Sequence, residues 1–401
     1  MRIVIIGAGQ AGAQGAVTLR QKGFGGAVTI IGAEDHPPYQ RPPLSKAYLK
    51  GEMAADRLHL RPADFYEAQG VTLALGDPAA SIDLAAREVR TEGGATHAYD
   101  RLLIATGAPA RRVALPGSQL PQVHTLRTLS DSDTLRALLT ADGPACIVGG
   151  GYIGLEVAAV LRGAGKAVTV IEAADRVLAR VASPPVSAFF EALHVGRGVD
   201  LRLGSQAESI EGDGSVAALT LSDGERVACG AVLLAVGARP ETALAEAAGL
   251  SVEDGILVDE HTRTSDPNVF AAGDCTRFPD LRTGERVRLE SVPNAIEQAK
   301  VAAVNMAGGE AVHDALPWFW SDQYEVKLQA AGLPHGADRL VERRQDAYAF
   351  SVWAMRGDVP IAVEAVNDPA AFALGKRLIP RDAAVDAAAL GDPGVPLKEL
   401  L

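Results

Sequence analysis

One grammar occurs twice in this chain. Ile3 to Ile6 is an apolar run, Gly7-Ala8-Gly9-Gln10-Ala11-Gly12 follows, then an alanine-rich helical stretch and a second apolar run, Ala27 to Ile31. Ala145 to Val148, Gly149-Gly150-Gly151-Tyr152-Ile153-Gly154, a helical stretch through Arg162 and the run Ala167 to Ile171 repeat it. Each copy reads strand, glycine turn, helix, strand, the form of a dinucleotide-binding unit. In such a turn the first glycine makes the bend and the second lets backbone approach a pyrophosphate. The third lets helix and strand pack closely, while the helix N-terminus offers oriented N–H groups to the phosphates. Gly7, Gly9 and Gly12 fill these places in the first copy, and Gly149, Gly151 and Gly154 in the second. An acid follows each: Glu34 lies 22 residues after Gly12 and Glu172 lies 18 after Gly154. Either carboxylate can accept both hydroxyls of an adenosine ribose. One such match is weak; two, each placed between apolar runs, are strong.

Two dinucleotides on one chain suggest FAD beside a nicotinamide. Leu102 to Ala105 reads as a buried strand closed by Thr106-Gly107, and Ala231 to Val236 as another closed by Gly237. A third, Asn268-Val269-Phe270-Ala271-Ala272, ends in Gly273-Asp274, where Asp274 suits a ribityl hydroxyl of FAD or, equally, a helix N-cap. This order places FAD at the first copy and inserts the nicotinamide fold between its two halves. The expected fold is α/β: two Rossmann-like domains, FAD over 1–108 and 238–315 and NAD over 109–237. An α+β domain over 316–401 carries all three tryptophans, with strand-like segments around Lys327 to Ala330 and Ala349 to Met355. Pro293 followed by Asn294 to Met306 reads as a helix with proline at its first position.

A net charge of −12 gives no global attraction to nucleic acid or to lipid headgroups. Cys146, Cys229 and Cys275 are too few and too scattered for a disulfide scaffold or a zinc knuckle, so no metal site is expected. No apolar run approaches the length of a membrane span, and the N-terminus lacks the pattern of a signal peptide. A cytoplasmic monomer is the expectation.

Tyr39-Gln40-Arg41-Pro42-Pro43-Leu44-Ser45-Lys46, Gly149 to Glu156, Glu290-Ser291-Val292-Pro293-Asn294 and Pro317-Trp318-Phe319-Trp320-Ser321-Asp322-Gln323 narrow the reading. With these motifs the chain resembles the two-dinucleotide-fold flavoproteins, and among them the ferredoxin reductases of bacterial oxygenase systems. The resemblance covers essentially the whole chain. It implies FAD contacts at Ala11, Glu34, Arg41, Lys46, Ala79, Thr106, Gly107, Arg127, Gly273, Asp274, Val292 and Trp320. It implies nicotinamide-nucleotide contacts at Ile153, Glu156, Glu172, Arg180 and Gly237, besides the second glycine turn. Lys46 and Glu156 are the implied catalytic pair, Glu156 meeting the nicotinamide carboxamide and Lys46 lying near flavin N5. The implied activity is hydride transfer from NADH to FAD and single-electron delivery to a small acidic 2Fe-2S ferredoxin. That ferredoxin serves an oxygenase, a haem-thiolate monooxygenase before a ring-hydroxylating dioxygenase.

Thiol chemistry is disfavoured, since residues 34–60 contain no cysteine where disulfide-reducing relatives need a pair. An NADH oxidase or quinone reductase with a small acceptor is the alternative enzyme, and a non-enzymatic redox sensor of the same fold is a more distant one. Because an acidic partner must approach an acidic reductase, a local basic patch is expected, with Arg61, Lys300, Lys327, Lys376 and Lys398 as candidates beside Trp318 and Trp320.

Overall fold

A computed structural model describes residues 1–400, which form two compact units. One unit comprises Met1–Gln40, Ala55–Pro109 and Ala238–Ala315. Its centre is a five-stranded parallel sheet in the order Val269–Ala271, Arg101–Ile104, Arg2–Ile6, Ala27–Gly32, Val71–Leu75. The chain runs outward from Arg2–Ile6 in one direction, then crosses to its other side. That places a topological switch point at the carboxyl end of this strand, where doubly wound sheets bind ligands.

Alternation along the strands feeds two cores. Ile3, Ile5, Val28, Ile30, Leu103 and Phe270 face Ala11, Ala13, Ala16 and Leu19 of the helix Gln10–Gln21 and Ala295, Ala299 and Ala302 of the helix Val292–Met306. Val4, Ile6, Ile31, Leu102, Ile104 and Val269 face the other way, against Ile82, Val89, Tyr99 and Phe278. Alanines and glycines suit the helix face because the approach is close: a Cβ at Gly15 would lie 2.9 Å from Leu103 Cδ2. Ile5 is fully buried, so Ile5→Ala should cost about 2–5 kcal/mol.

The second unit comprises Arg41–Ala54, Ala110–Gly237 and the chain from Leu316 onward. Its parallel sheet has the order Asp200–Arg202, Val168–Ile171, Ala145–Val148, Ala231–Leu234, Val123–His124. The three central strands are buried at every position, as a sheet covered on both faces requires. An antiparallel sheet follows in the same unit, ordered Trp318–Gln323, Val326–Gly332, Val359–Val366, Phe350–Arg356, Arg339–Arg344. The helix Pro369–Leu378 covers it, capped by Asp368, which accepts from the Ala371 N–H at 3.0 Å. Beneath it Trp353 is fully buried and Nε1 donates to Ser351 Oγ at 3.1 Å.

Among the boundaries that differ from the sequence reading, three bear on the glycine turns and the helix Val292–Met306. The strands expected to reach Ala105 and Val236 end at Ile104 and Leu234, because the chain bends there to pass its carbonyls against the glycine turns. The helix expected from Pro293 begins at Val292, so proline is its second residue. Ser291 is the N-cap, its hydroxyl accepting from the Asn294 N–H at 3.2 Å.

Candidate functional site

The two glycine turns are built alike. Gly7 has φ +113° and Gly149 φ +110°, and an added Cβ would lie 2.1 Å from the Ala105 carbonyl oxygen and 2.3 Å from that of Ala235. No other residue fits such a bend and approach. A Cβ at Gly12 would meet the Gly7 oxygen at 1.9 Å, and one at Gly154 the Gly149 oxygen at 2.1 Å. The middle glycines differ: positions for a Cβ at Gly9 and Gly151 open onto empty space. Gly9 and Gly151 are also the N-caps of the two helices, neither with a side chain closing its N–H groups. Two uncapped helix N-termini behind open glycines fit two pyrophosphates.

In the first unit, Glu34 follows the strand Ala27–Gly32 and accepts from Tyr39 Oη at 2.6 Å. Thr106 donates to the Glu241 carbonyl at 2.7 Å, and Gly107 follows with φ +74°. Gly273 stands beside Ala11, whose Cβ is 3.3 Å from where a Gly273 Cβ would lie. The turn that presents Asp274 is held by Gln298, which is fully buried. Gln298 Oε1 accepts from the Gly273 N–H at 2.7 Å and Thr276 Oγ1 at 2.9 Å. Gln298 was not singled out by the sequence, where it is one polar residue of an amphipathic helix. Val292 opens that helix. Ala79 opens the strand Ala79–Asp83, three residues after Gly76, whose N–H donates to the Glu34 carbonyl at 3.2 Å, and it packs against the core on the opposite side of the sheet from Ala11.

In the second unit, Glu172 follows the strand Val168–Ile171, and its carboxylate accepts from the Gly150 N–H at 2.6 Å and the Ala174 N–H at 2.8 Å. Ile153 is 41% exposed at the start of the helix Tyr152–Gly163. Arg180 is exposed and reaches to 3.3 Å from the Cβ position of Gly237. Arg176 is committed to its own loop, donating to the carbonyls of Ala179 and Ala182 and to Ser187 Oγ. Arg41 donates to the Arg127 carbonyl at 2.6 Å, and the Arg127 N–H to Asp131 Oδ2 at 2.8 Å, which brings together two residues expected separately as flavin contacts. Trp320 is half-buried against Trp318.

Lys46 and Glu156 also meet. Lys46 Nζ lies 2.6 Å from Glu156 Oε2, the lysine side chain 20% exposed and the glutamate 5%. Ser45 Oγ donates to the same oxygen, and Ser321 Oγ donates to Oε1 at 2.7 Å. A carboxylate is acceptor-only when ionised, and three donors converge on this one. Ser45 and Ser321 stand inside the motifs quoted above, but no spacing rule marks a serine as the partner of a distant glutamate.

Cys275 is fully buried, its thiol directed at the Ala272 and Ile104 carbonyls, and burial pushes its pKa up. Cys146 and Cys229 are buried thiols in one core. Of the basic-patch candidates, Lys300 is paired with Glu297 at 2.8 Å and Lys327 with Asp322 at 3.3 Å. Lys376 lies over the Trp318 ring at 4.8 Å, Arg61 lies over Phe65, and Lys398 is exposed. No helix among the described residues is long and apolar enough to cross a membrane.

Comparison with known proteins adds to this geometry. A family described as pyridine nucleotide-disulphide oxidoreductase matches residues 1–299, and one described as reductase C-terminal matches residues 318–401. The chain is 45% identical to a probable ferredoxin reductase of Castellaniella defragrans, over 100% of this chain and 98% of that one. It is 42% identical to putidaredoxin reductase of Pseudomonas putida, over 100% and 96% respectively. Among solved structures it superposes on the covalent putidaredoxin reductase–putidaredoxin complex with a TM-score of 0.96, at 42% identity and covering 100% and 97% of the two chains. A ferredoxin reductase for the CYP199A2 system of Rhodopseudomonas palustris gives 0.96 at 40% identity, covering 99% of each.

Proposed function

We propose, from the premise that this chain belongs to the pyridine nucleotide-disulphide oxidoreductase family and carries its reductase C-terminal domain, that it is an NADH-oxidising ferredoxin reductase. The electron acceptor is a small 2Fe-2S ferredoxin serving an oxygenase. The full-length likeness to ferredoxin reductases supports this reading, and the Lys46–Glu156 pair is the observation that carries it. FAD, when bound, supplies the chemistry of taking a two-electron hydride and releasing single electrons.

The first glycine turn and Asp274 would hold FAD; the second turn, Glu172 and Arg180 would hold NADH. The FAD domain is assigned to 1–108 and 238–315, the NAD domain to 109–237, and the C-terminal domain to 316–401. Glu156 would orient the nicotinamide amide through its anchored carboxylate, and Lys46, held by that carboxylate and by the Pro42 carbonyl at 3.2 Å, would place a positive charge beside the flavin. Neither residue needs to move a proton during hydride transfer. The Ser291-capped N-terminus of the helix Val292–Met306 would favour negative charge on the reduced flavin. A cytoplasmic location fits the three free thiols and the need for NADH.

The test is anaerobic and aerobic turnover with NADH, ferricyanide and cytochrome c. Cytochrome c reduction should rise sharply only when a 2Fe-2S ferredoxin is added, while oxygen consumption stays slow. Fast oxygen or quinone reduction with no ferredoxin effect would replace this reading with the NADH oxidase alternative.

A further inference from the structure

The polar contacts of Glu156 do not end at Ser321. Ser321 Oγ, fully buried, receives Gln323 Nε2 at 3.3 Å, and Gln323 Oε1 lies 2.9 Å from His194 Nε2. Gln323 and His194 are also fully buried. Beyond His194, Nδ1 lies 3.5 Å from Tyr324 Oη, and the Tyr324 ring is covered by the Arg197 guanidinium at 5.0 Å. The helix Pro184–Gly196 supplies His194, and the strand Trp318–Gln323 supplies Ser321 and Gln323. The activity proposed above uses Ser321 only as a donor to Glu156 and gives Gln323 and His194 no part.

The direction of this chain follows from its charged end. An ionised Glu156 can only accept, so Ser321 must give its proton to Oε1. The Ser321 oxygen then accepts, which selects the Gln323 amide orientation with Nε2 toward serine. Gln323 Oε1 is left facing His194, which must therefore carry its hydrogen on Nε2. The flipped amide would present an N–H to His194 and set its own oxygen against a lone pair of Ser321, whose one hydrogen is given to Glu156. Burial lowers the His194 pKa, against a smaller raising contribution from Gln323, in keeping with a neutral ring. An amide does not readily pass a proton on, so the chain is suited to orientation and not to proton conduction.

We infer that Ser321, Gln323 and His194 are positioning residues, a buried directional chain that fixes the Glu156 carboxylate and through it Lys46. The inference rests on the assignment of Glu156 to the nicotinamide in the reading above. Each buried neutral hydrogen bond contributes roughly 0.5–1.5 kcal/mol net, so breaking one link should slow hydride transfer about 2- to 10-fold.

Nitrogen NMR of histidine-labelled protein tests the tautomer, the His194 resonances being identified by their loss in His194→Phe. The Nε2–H tautomer is expected from pH 6 to 8 in the wild type. In Ser321→Ala and Glu156→Gln the preference should relax toward a mixture, because nothing then fixes the Gln323 amide. Anaerobic stopped-flow with NADH should show slower flavin reduction in His194→Phe and recovery in His194→Gln, whose amide N–H can replace Nε2–H. A purely packing role would not make Gln the better substitute. An imidazolium or Nδ1–H ring at pH 7, or a tautomer indifferent to both Ser321→Ala and Glu156→Gln, overturns the inference from spectra that need no turnover. If the tautomer responds but Glu156→Gln leaves flavin reduction unchanged, the chain stands and the nicotinamide assignment of Glu156 falls. If Glu156→Gln slows reduction and the tautomer does not respond, the assignment stands and the chain falls.

Discussion

Coenzyme choice can be tested at Glu172. Its carboxylate is anchored by two backbone N–H groups, at 2.6 Å from Gly150 and 2.8 Å from Ala174, so its charge is held in place at the end of the strand. NADPH would bring a 2′-phosphate of about −1.5 to −2 charges to the same ribose edge. With a separation of about 5 Å and an effective dielectric of about 40, each unit of charge meets about 1.7 kcal/mol of repulsion. The full penalty is then about 1.5–3 kcal/mol after solvent screening, or about 10- to 150-fold in kcat/KM. Glu172→Gln removes the charge but keeps the shape; its amide can accept from one of the two N–H groups, not both. The lost contact loosens the turn by about 1–3 kcal/mol. That cost falls on both coenzymes and cancels in their ratio. Steady-state kcat/KM for NADH and NADPH is the assay, with ferricyanide as acceptor so that docking plays no part. The wild type should favour NADH, and the variant should lose at least tenfold of that preference. A ratio unchanged within twofold would refute the electrostatic argument.

Asp274→Ala should raise the dissociation constant for FAD by about 10- to 150-fold, the loss of one charge-assisted hydrogen bond of about 1.5–3 kcal/mol; flavin fluorescence during dialysis measures it, and full retention would remove Asp274 from the flavin site. Lys300→Glu turns a neutral Lys300–Glu297 pair into two negative charges, so KM for an acidic ferredoxin should rise several-fold at low salt and converge on wild type at high salt, with the ferricyanide rate unchanged; equal loss of both rates would place Lys300 in folding or flavin chemistry instead. His313 is buried against Phe278, and burial lowers its pKa to about 4. Its unfolded-state value is about 6.5, so the unfolded chain binds the extra proton between pH 6.5 and 4, and stability falls by up to about 3 kcal/mol as pH drops through that window. His313→Phe should flatten the urea-midpoint profile between those values; an unchanged profile would assign the acid sensitivity to other groups.

The elements that share local rules were legible in the sequence. Apolar runs bounded by glycine give the strands at Ala145–Val148 and Val168–Ile171, and their complete burial is what a doubly covered parallel sheet requires. The glycine turns were legible for the same reason: each bend and close approach tolerates no other residue, so the spacing records the geometry. The misread strand ends at Ala105 and Val236 mark where that logic stops. Both runs stay apolar beyond the last ladder residue because the bend that follows still packs on the core, buried at Ala105 and half-buried at Ala235 and Val236, and hydropathy cannot tell such a turn from a strand.

The site divides along the same line. Arg41 and Arg127, or Lys46 and Glu156, meet across 86 and 110 residues of chain; only the resemblance joined the second pair beforehand, and nothing joined the first. Gln298 and His194 escaped notice, and Ser321 and Gln323 stood in a motif without a role, because a buried polar side chain announces itself only through its partners. Gln323 reads locally as the polar end of a strand, and His194 as a basic residue near a helix C-terminus, where a charged ring would be favourable. Burial reverses that expectation for His194. The ring is enclosed, neutral and bonded to an amide, so the helix-end charge rule yields to the desolvation cost, which is the larger effect once water is removed. The same enclosure makes the tautomer of a histidine depend on a serine hydroxyl two hydrogen bonds away along the chain of contacts. A local reading of residue types has no access to that dependence, whereas the charge on Glu156 fixes it.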